Sequence, residues 1–510
     1  MQLDEPNREI LRRVEDFLSL RRIEAYLVGG FVRDLLIGRE TADIDLAIPA
    51  DVLTIAQEMA ADLKGKFIPL DEEHGIARVV LFPVKADAEK KQWYIDLSSL
   101  TGYIESDLAR RDFTVDAMAV PLKAFLESEA SPNHFLPLTL VSSHLIDPFQ
   151  GRLDLEKRQI RAVGSTVFQD DPLRLLRAVR LAADLGLTVQ PETELLIRQS
   201  PRLIGQVSGE RIHEELVRIL ANGQAGRFVR YMDDLGLLTV IFPELEKGRD
   251  VEQPQEHHWK VLDHAIETVG ASGFLIRQGQ WHYGSLERLQ DLSWSDELDR
   301  FFRSEVVYGV PRSALLNLAA LLHDIAKPDT RIMAGERLRF FGHDQQGADM
   351  VKPILERLRF SNKEIDLVEK MVRYHMRPTQ IGHEEFPSRR AVFRYFRDTG
   401  SAGLDVLFLS LADHLAARGP NLDAGQWRWH VNQVNYLLNE FFNKKETVSP
   451  PKLIDGYDLV RIFALKPGPE IREILDSVKE AQAAGELATR DEALSYVKNQ
   501  LLYRKQILEG

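Results

Sequence analysis

The stretch that most constrains this chain is residues 26–48, Tyr-Leu-Val-Gly-Gly-Phe-Val-Arg-Asp-Leu-Leu-Ile-Gly-Arg-Glu-Thr-Ala-Asp-Ile-Asp-Leu-Ala-Ile. The apolar run Tyr26-Leu27-Val28 predicts a buried strand, and Gly29-Gly30 ends it. Phe31 to Ile37 has helical spacing, with Gly38 as its stop. If 43–48 is a strand, its period of two puts Asp43 and Asp45 on one face, with Ile44 and Leu46 on the other. Two carboxylates so close repel each other unless a divalent cation sits between them. A Gly-Gly backbone at a helix N-terminus can approach phosphate oxygens closely. Together these residues predict a metal-dependent phosphoryl-transfer site, acids for Mg²⁺ and glycines for a triphosphate. Taken alone, the glycines are also compatible with a plain strand–turn–helix.

The combined spacing, GG-x-x-RD followed by DxD, resembles the head of class II nucleotidyltransferases, the tRNA CCA-adding enzymes and bacterial poly(A) polymerases. Gly29, Gly30, Arg33 and Asp34 fill the first half of that pattern, and Asp43 and Asp45 the second. Farther on, Arg110-Arg111-Asp112-Phe113-Thr114 matches the family's RRDFT, which contacts the ribose of the incoming nucleotide. The resemblance implies that Arg111 meets phosphate or sugar oxygens and Asp112 accepts from a ribose hydroxyl. Asp116 stands where the family has Asn and receives no role. Asp96, in Trp93-Tyr94-Ile95-Asp96-Leu97, is the expected third carboxylate. Only ten residues, Leu97 to Ser106, separate it from Asp107. CCA-adding relatives carry a longer flexible loop there, and the short form resembles enzymes that add only the two cytidines.

Asp147 to Leu155 reads as a turn and helix cap, a hinge after the head. Asp170-Asp171-Pro172-Leu173-Arg174 then predicts a capped helix whose Arg174 and Arg177 share one face. A carboxylate accepts from the exocyclic amine of C or A, an arginine donates to the adjacent ring atom, and U and G present the opposite polarity. In the family, (E/D)DxxR is the protein template for CTP and ATP, and Asp171 and Arg174 match it. Ser208 to Leu216 matches the family's GERIxxEL, a brace for that helix.

A second chemistry follows. His264, the adjacent pair His323-Asp324, and Asp413 lie in separate apolar helical segments, with His343 and His375 between them. Mixed nitrogen and oxygen ligands without thiols suit Mn²⁺, Ni²⁺, Co²⁺ or Fe²⁺. The order H…HD…D resembles HD-superfamily metal phosphohydrolases, with His343 and His375 matching the extra histidines of some members. Cysteine is absent, which excludes disulfides, thiol catalysis and zinc fingers.

At 510 residues the chain exceeds one core. Strand signals are confined to the first 150 residues and helical periodicity runs from there to the C-terminus. The expected class is α+β: a nucleotidyltransferase head with a small mixed sheet (1–150), a helical neck (151–245), an α-helical HD domain (246–445) and a helical tail (446–510). The formal charge of −13 argues against generic polyanion binding, so RNA contacts are expected to be local. Neither a signal peptide nor a membrane span is legible, and a cytoplasmic location is expected. The resemblance implies Mg²⁺ in the head, a transition metal or Mg²⁺ in the HD domain, and as partners CTP, ATP and the tRNA 3′ end; it admits a homodimer. Asp43 and Asp45, with Asp96 assisting, are the expected catalytic acids. Alternatives are a poly(A) polymerase or A-adding enzyme, an HD phosphodiesterase or phosphatase acting on RNA ends, and a non-catalytic RNA-binding module.

Overall fold

The structure is a computed structural model that describes residues 5–82, 92–129, 144–381 and 386–509. The chain divides into two compact units, Met1–Val207 and Ser208–Gly510. Lys85-Ala86-Asp87, whose polar composition predicts a turn, lies outside the described residues.

In the first unit, helix α1 (Glu5–Leu20) precedes strand β1 (Tyr26–Val28), helix α2 (Gly29–Leu36) and strand β2 (Asp43–Ile48). Helix α3 (Val52–Leu63), strands β3 (Lys66–Asp71), β4 (Ile76–Leu81) and β5 (Trp93–Ser99), helix α4 (Ile104–Leu108) and strand β6 (Ala119–Pro121) follow. The six strands form one sheet in the order β3-β4-β5-β2-β1-β6. Only β2 and β5 pair in parallel, and the other neighbours are antiparallel, so the sheet is mixed as expected. Parallel neighbours need a long connection, and between β2 and β5 it contains α3, β3 and β4. Ile44, Leu46, Ile95 and Leu97 are buried without exposure, and this apolar alternation fixes the register.

The helical segment Gly151–Glu156 packs directly on the head. A Cβ on Gly151 would lie 2.0 Å from the Thr114 carbonyl oxygen, so only glycine permits this approach. Asp147 accepts from the Gly151 and Arg152 N–H groups at 2.7 and 3.0 Å, and the Thr114 hydroxyl donates to Asp154 at 2.6 Å. The sequence cut at 150 therefore falls inside the first unit, where helix Arg174–Leu185 also belongs.

The second unit is built on helices Val261–Leu275, Arg312–Leu322, His343–Arg357, Asn362–Tyr374 and Gly403–Arg418, all rich in buried apolar side chains. It is not strand-free. Short pairs β9 (Glu305–Val307) with β10 (Val310–Pro311), and β11 (Arg331–Ala334) with β12 (Arg337–Phe340), interrupt it. Even in the first unit, β7 (Gln159–Ile160) pairs with β8 (Thr188–Val189). Strands of two to four residues give no readable alternation, which is why sequence periodicity passes over them. Residues 450–509 carry their own small core of Leu459, Ile474, Val478 and Val497. Among the described residues no helix is long and apolar enough to cross a membrane.

Candidate functional site

The first site forms where β1 turns into α2 beside β2 and β5. The parallel register places Asp45 opposite Asp96. Asp43 is exposed at the start of β2, whereas Asp45 is half-buried and accepts a 3.4 Å hydrogen bond from the Phe31 N–H. Burial, then repulsion from Asp96, push the Asp45 carboxyl up to about 7, against the pull of Arg111 and the Phe31 N–H. A cation would relieve that repulsion, so the donor set fits Mg²⁺.

The acids are not a closed cage. Arg78 lies across from Asp96 in the β4–β5 ladder and grips it through two 2.7 Å hydrogen bonds, one to each oxygen. Among the described residues, every group of three or more ligand atoms within 4.8 Å of one another lies in the second unit. Mg²⁺ is commonly held by one or two carboxylates plus substrate phosphates, and an open acid pair suits that mode.

Gly29 has φ +63°, and a Cβ there would stand 2.7 Å from Arg111 Nη1 and 3.3 Å from Asp45 Oδ2. A Cβ on Gly30 would meet Arg33 Nη2 and Asp45 Oδ2 at 3.3 and 3.4 Å. The glycines thus let two arginines and the acid converge on bare backbone. Arg33 donates to Asp34 at 2.8 Å and to Asp116 at 2.6 Å, all three buried. Burial lowers the Arg33 pKa, but the two carboxylates more than compensate and hold it above its ordinary value. Arg111 leans on Asp107 through two 3.3 Å hydrogen bonds and reaches the Asp116 carbonyl.

The RRDF motif is joined to the helix of Asp171 and Arg174. Arg177 donates to Asp112 at 2.7 Å, and the Phe113 N–H donates to its other oxygen at 2.9 Å. Burial pushes the Asp112 carboxyl up, but Arg177 and the Phe113 N–H outweigh it and hold it below the usual range. Asp171 caps the turn by accepting from the Leu173 N–H, while Arg174 donates to the carbonyls of Arg110 and Val167. The structure therefore brings Gly29, Gly30, Arg33, Asp45, Asp96 and Arg111 into one cluster, and ties Asp112 to Arg177. Sequence reasoning missed Arg78 and the role of Asp116; both become visible only once register and turn geometry are known.

The second site lies where five helical elements meet. His264 Nε2 is 3.0 Å from Asp413 Oδ1, 3.2 Å from His323 Nε2 and 3.4 Å from Asp324 Oδ2. Asp324 Oδ2 is also 3.1 Å from His323 Nε2, and its Oδ1 faces His343 and His375 at 3.4 and 3.9 Å. One carboxylate thus turns an oxygen to each of two histidine pairs. The rings of His323, His343 and His375 each donate from Nδ1 to the carbonyl three residues earlier, at 2.7–2.8 Å, which leaves Nε2 as the ligand atom. Both Asp324 oxygens are buried and face only the surrounding histidines and the Lys327 ammonium, as suits a carboxylate that ligates cations. Burial lowers the His323 pKa, but Asp324 and Asp413 push it up to about 10; burial and the neighbouring rings push His375 down to about 4. The donor set fits divalent metals.

The cluster opens into a cavity of about 510 Å³. Its walls include His257, Lys327, Arg418 and His430, none anticipated as a site residue. Lys327 Nζ sits 2.5 Å from Asp324 and is held by Gln253 at 2.7 Å. The only sequence signal was Lys327 one helical turn beyond Asp324.

A fold of this kind, with an acid-bearing small sheet and a separate His/Asp centre, defines a metal-dependent nucleotidyl- or phosphoryl-transfer protein. Family models match in sequence: "Poly A polymerase head domain" over 25–161, "Probable RNA and SrmB- binding site of polymerase A" over 186–248, "HD domain" over 293–418 and "tRNA nucleotidyltransferase domain 2 putative" over 437–497. An A-adding tRNA nucleotidyltransferase of Deinococcus radiodurans is 32% identical over 93% of this chain and 95% of its own. A CC-adding tRNA nucleotidyltransferase of Thermus thermophilus is 29% identical over 94% of this chain and 95% of its own. The Bacillus stearothermophilus CCA-adding enzyme in complex with CTP shares the fold at TM-score 0.59 and 21% identity, over 99% of this chain and all of that one. The chain belongs to the tRNA nucleotidyltransferase family.

Proposed function

We propose that the first unit joins CMP or AMP units from CTP or ATP to the 3′ end of tRNA, without a nucleic-acid template. The observation that carries this reading is the Arg177–Asp112 bridge, which couples the base-reading helix to the ribose motif beside Asp45 within one unit. The tRNA 3′-hydroxyl oxygen bonds to the α-phosphorus, and the bond to the leaving pyrophosphate breaks. Asp43 and Asp45, assisted by Asp96, would hold divalent cations, which would supply charge neutralisation there when bound. Gly29 and Gly30 let the triphosphate approach the backbone at the start of α2, and Arg33 and Arg111 carry the positive charge beside it. Asp112 orients the ribose and, with Arg177, keeps Asp171 and Arg174 at the Watson–Crick edge of the base. Asp34 acts through Arg33.

We further assign CC addition. The connection between Asp96 and Asp107 is ten residues, and Leu97–Ser99 and Ile104–Ser106 are already strand and helix, which leaves four for any loop. A-only addition is the second reading, favoured by the 32% identity to the A-adding enzyme. Transcripts ending before C74, after C74 and after C75 separate them: with CTP alone the first gains two residues and stops, whereas an A-adding enzyme extends only the last, with ATP. The second unit is read as a phosphohydrolase whose His264, His323, Asp324 and Asp413 hold one divalent metal, and whose Asp324, His343 and His375 hold a second.

The division into head 1–150, neck 151–245, HD domain 246–445 and tail 446–510 is retained as a functional partition.

A further inference from the structure

The hairpin β11–β12 stands at the mouth of the second site and has no part in the chemistry above. Its register pairs Ile332 with Arg339, Met333 with Leu338 and Ala334 with Arg337. The period of two therefore gives one face Arg331, Met333, Leu338 and Phe340, and the other Ile332, Ala334, Arg337 and Arg339. Single exposed apolar side chains are ordinary on any surface. Here one short hairpin carries three: Ile332, 48% exposed, on the face of Arg337 and Arg339, Met333, 63% exposed, on the other face, and Phe341, 67% exposed, just past β12. Between 331 and 341 three arginines stand against one acid, Glu336, in a chain of net charge −13. A basic, apolar ribbon on an acidic protein is complementary to a strand that is anionic along its backbone and aromatic in its bases.

The base of the hairpin enters the metal site. Arg339, Phe340 and Phe341 line the cavity, and the Phe340 carbonyl accepts from His343 Nδ1 at 2.7 Å. The Lys327 ammonium lies 5.6 Å from the Phe340 ring. From Phe340 to the turn the ribbon runs roughly 13 Å, four residues at about 3.3 Å each. Arg337 lies three residues, about 10 Å, from Phe340, so a phosphate among the histidines and a phosphate on Arg337 belong to different nucleotides and a mononucleotide leaves Arg337 unused.

We propose that this hairpin grips the single-stranded RNA whose terminal phosphate enters the His/Asp cluster. Bases stack on Phe341 and pack on Ile332, and Arg337 and Arg339, on the same face as Ile332, meet backbone phosphates. The inference rests on the phosphohydrolase reading of the cluster and names its substrate as a polynucleotide end.

The test uses the full chain loaded with Mn²⁺, a 3′-phosphorylated oligoribonucleotide and p-nitrophenyl phosphate. The double variant Ile332→Ser/Arg337→Ala changes only the basic face of the hairpin, at residues that do not line the cavity. Its KM for the oligoribonucleotide is expected to rise about tenfold with kcat kept, and turnover of the small ester to stay within about twofold. An unchanged KM for the oligoribonucleotide, or equal losses on both substrates, overturns the proposal. Photocrosslinking of an oligoribonucleotide ending in 5-iodouridine gives a readout independent of turnover. Adducts on residues 331–341 support the grip, even if wild-type protein hydrolyses neither substrate and the phosphohydrolase reading falls; adducts confined to other segments overturn it.

Discussion

Arg33 Nη1 lies 2.6 Å from Asp116 Oδ1, a buried ion pair that fastens the glycine turn of α2 to the end of the RRDFT segment. Asp116 occupies the position of the family's Asn, and here it answers the charge of a buried arginine. Asp116→Ala leaves Arg33 with Asp34 alone and is expected to cost about 3 kcal/mol of head stability. Asp116→Asn keeps an acceptor and is expected to cost about 1 kcal/mol. Urea unfolding of the two variants, followed by tryptophan fluorescence, checks the order.

Asp45 sets a pH dependence. Its folded pKa, pushed up to about 7, exceeds the unfolded value of about 3.9, so the folded state binds the extra proton between those values. Without metal, this group's contribution to stability is full below pH ~4, is lost as pH rises to about 7, and is flat above. Mg²⁺ competes with that proton, so Mg²⁺ affinity is expected to be about tenfold weaker at pH 6 than at pH 8. Calorimetric titration at both values measures it, and Asp45→Asn should remove the difference.

Arg174 is held by two backbone carbonyls and Asp171 by the turn it caps, so both present fixed hydrogen-bonding groups. Arg174→Ala is expected to lower kcat/KM for CTP about 10- to 100-fold while UTP incorporation changes little, which narrows the discrimination. Single-nucleotide incorporation with each of the four triphosphates reads this out.

The parts of this molecule legible in its sequence were those governed by short-range periodicity. The alternation in Asp43-Ile44-Asp45-Leu46 predicted β2 and its acid face, and Trp93-Tyr94-Ile95-Asp96-Leu97 predicted β5. The alignment of Asp45 with Asp96 needed the parallel register, and the Arg78 grip on Asp96 needed the antiparallel one. Neither pairing is local. The His/Asp residues of the second site could be named because His323 and Asp324 are adjacent, but that Asp324 faces two histidine pairs depends on four separate helical elements. His257, beside His258, and the isolated His430 line the same cavity, but no spacing to the other ligands marks them. The β11–β12 hairpin was missed because arginines alternate with apolar residues over only four positions per strand.

The shared carboxylate of Asp324 makes metal content a sharp test. Asp324→Ala is expected to lose both ions of the second site, and His375→Ala only one. Elemental analysis after Mn²⁺ loading and gel filtration should read two, none and one ion per chain for wild type, Asp324→Ala and His375→Ala, after subtraction of head-bound metal with an Asp43→Ala/Asp45→Ala control.

The central claim is that the acid pair on β2 drives nucleotide addition. Its most direct measurement is extension of a tRNA transcript lacking its 3′ CCA, with Mg²⁺, CTP and ATP, by wild type and by Asp43→Asn/Asp45→Asn. The account predicts lengthening with pyrophosphate release by wild type, and loss of at least about 10³-fold in rate by the variant. A wild-type protein that never lengthens the transcript, or a variant that does so at the wild-type rate, contradicts it.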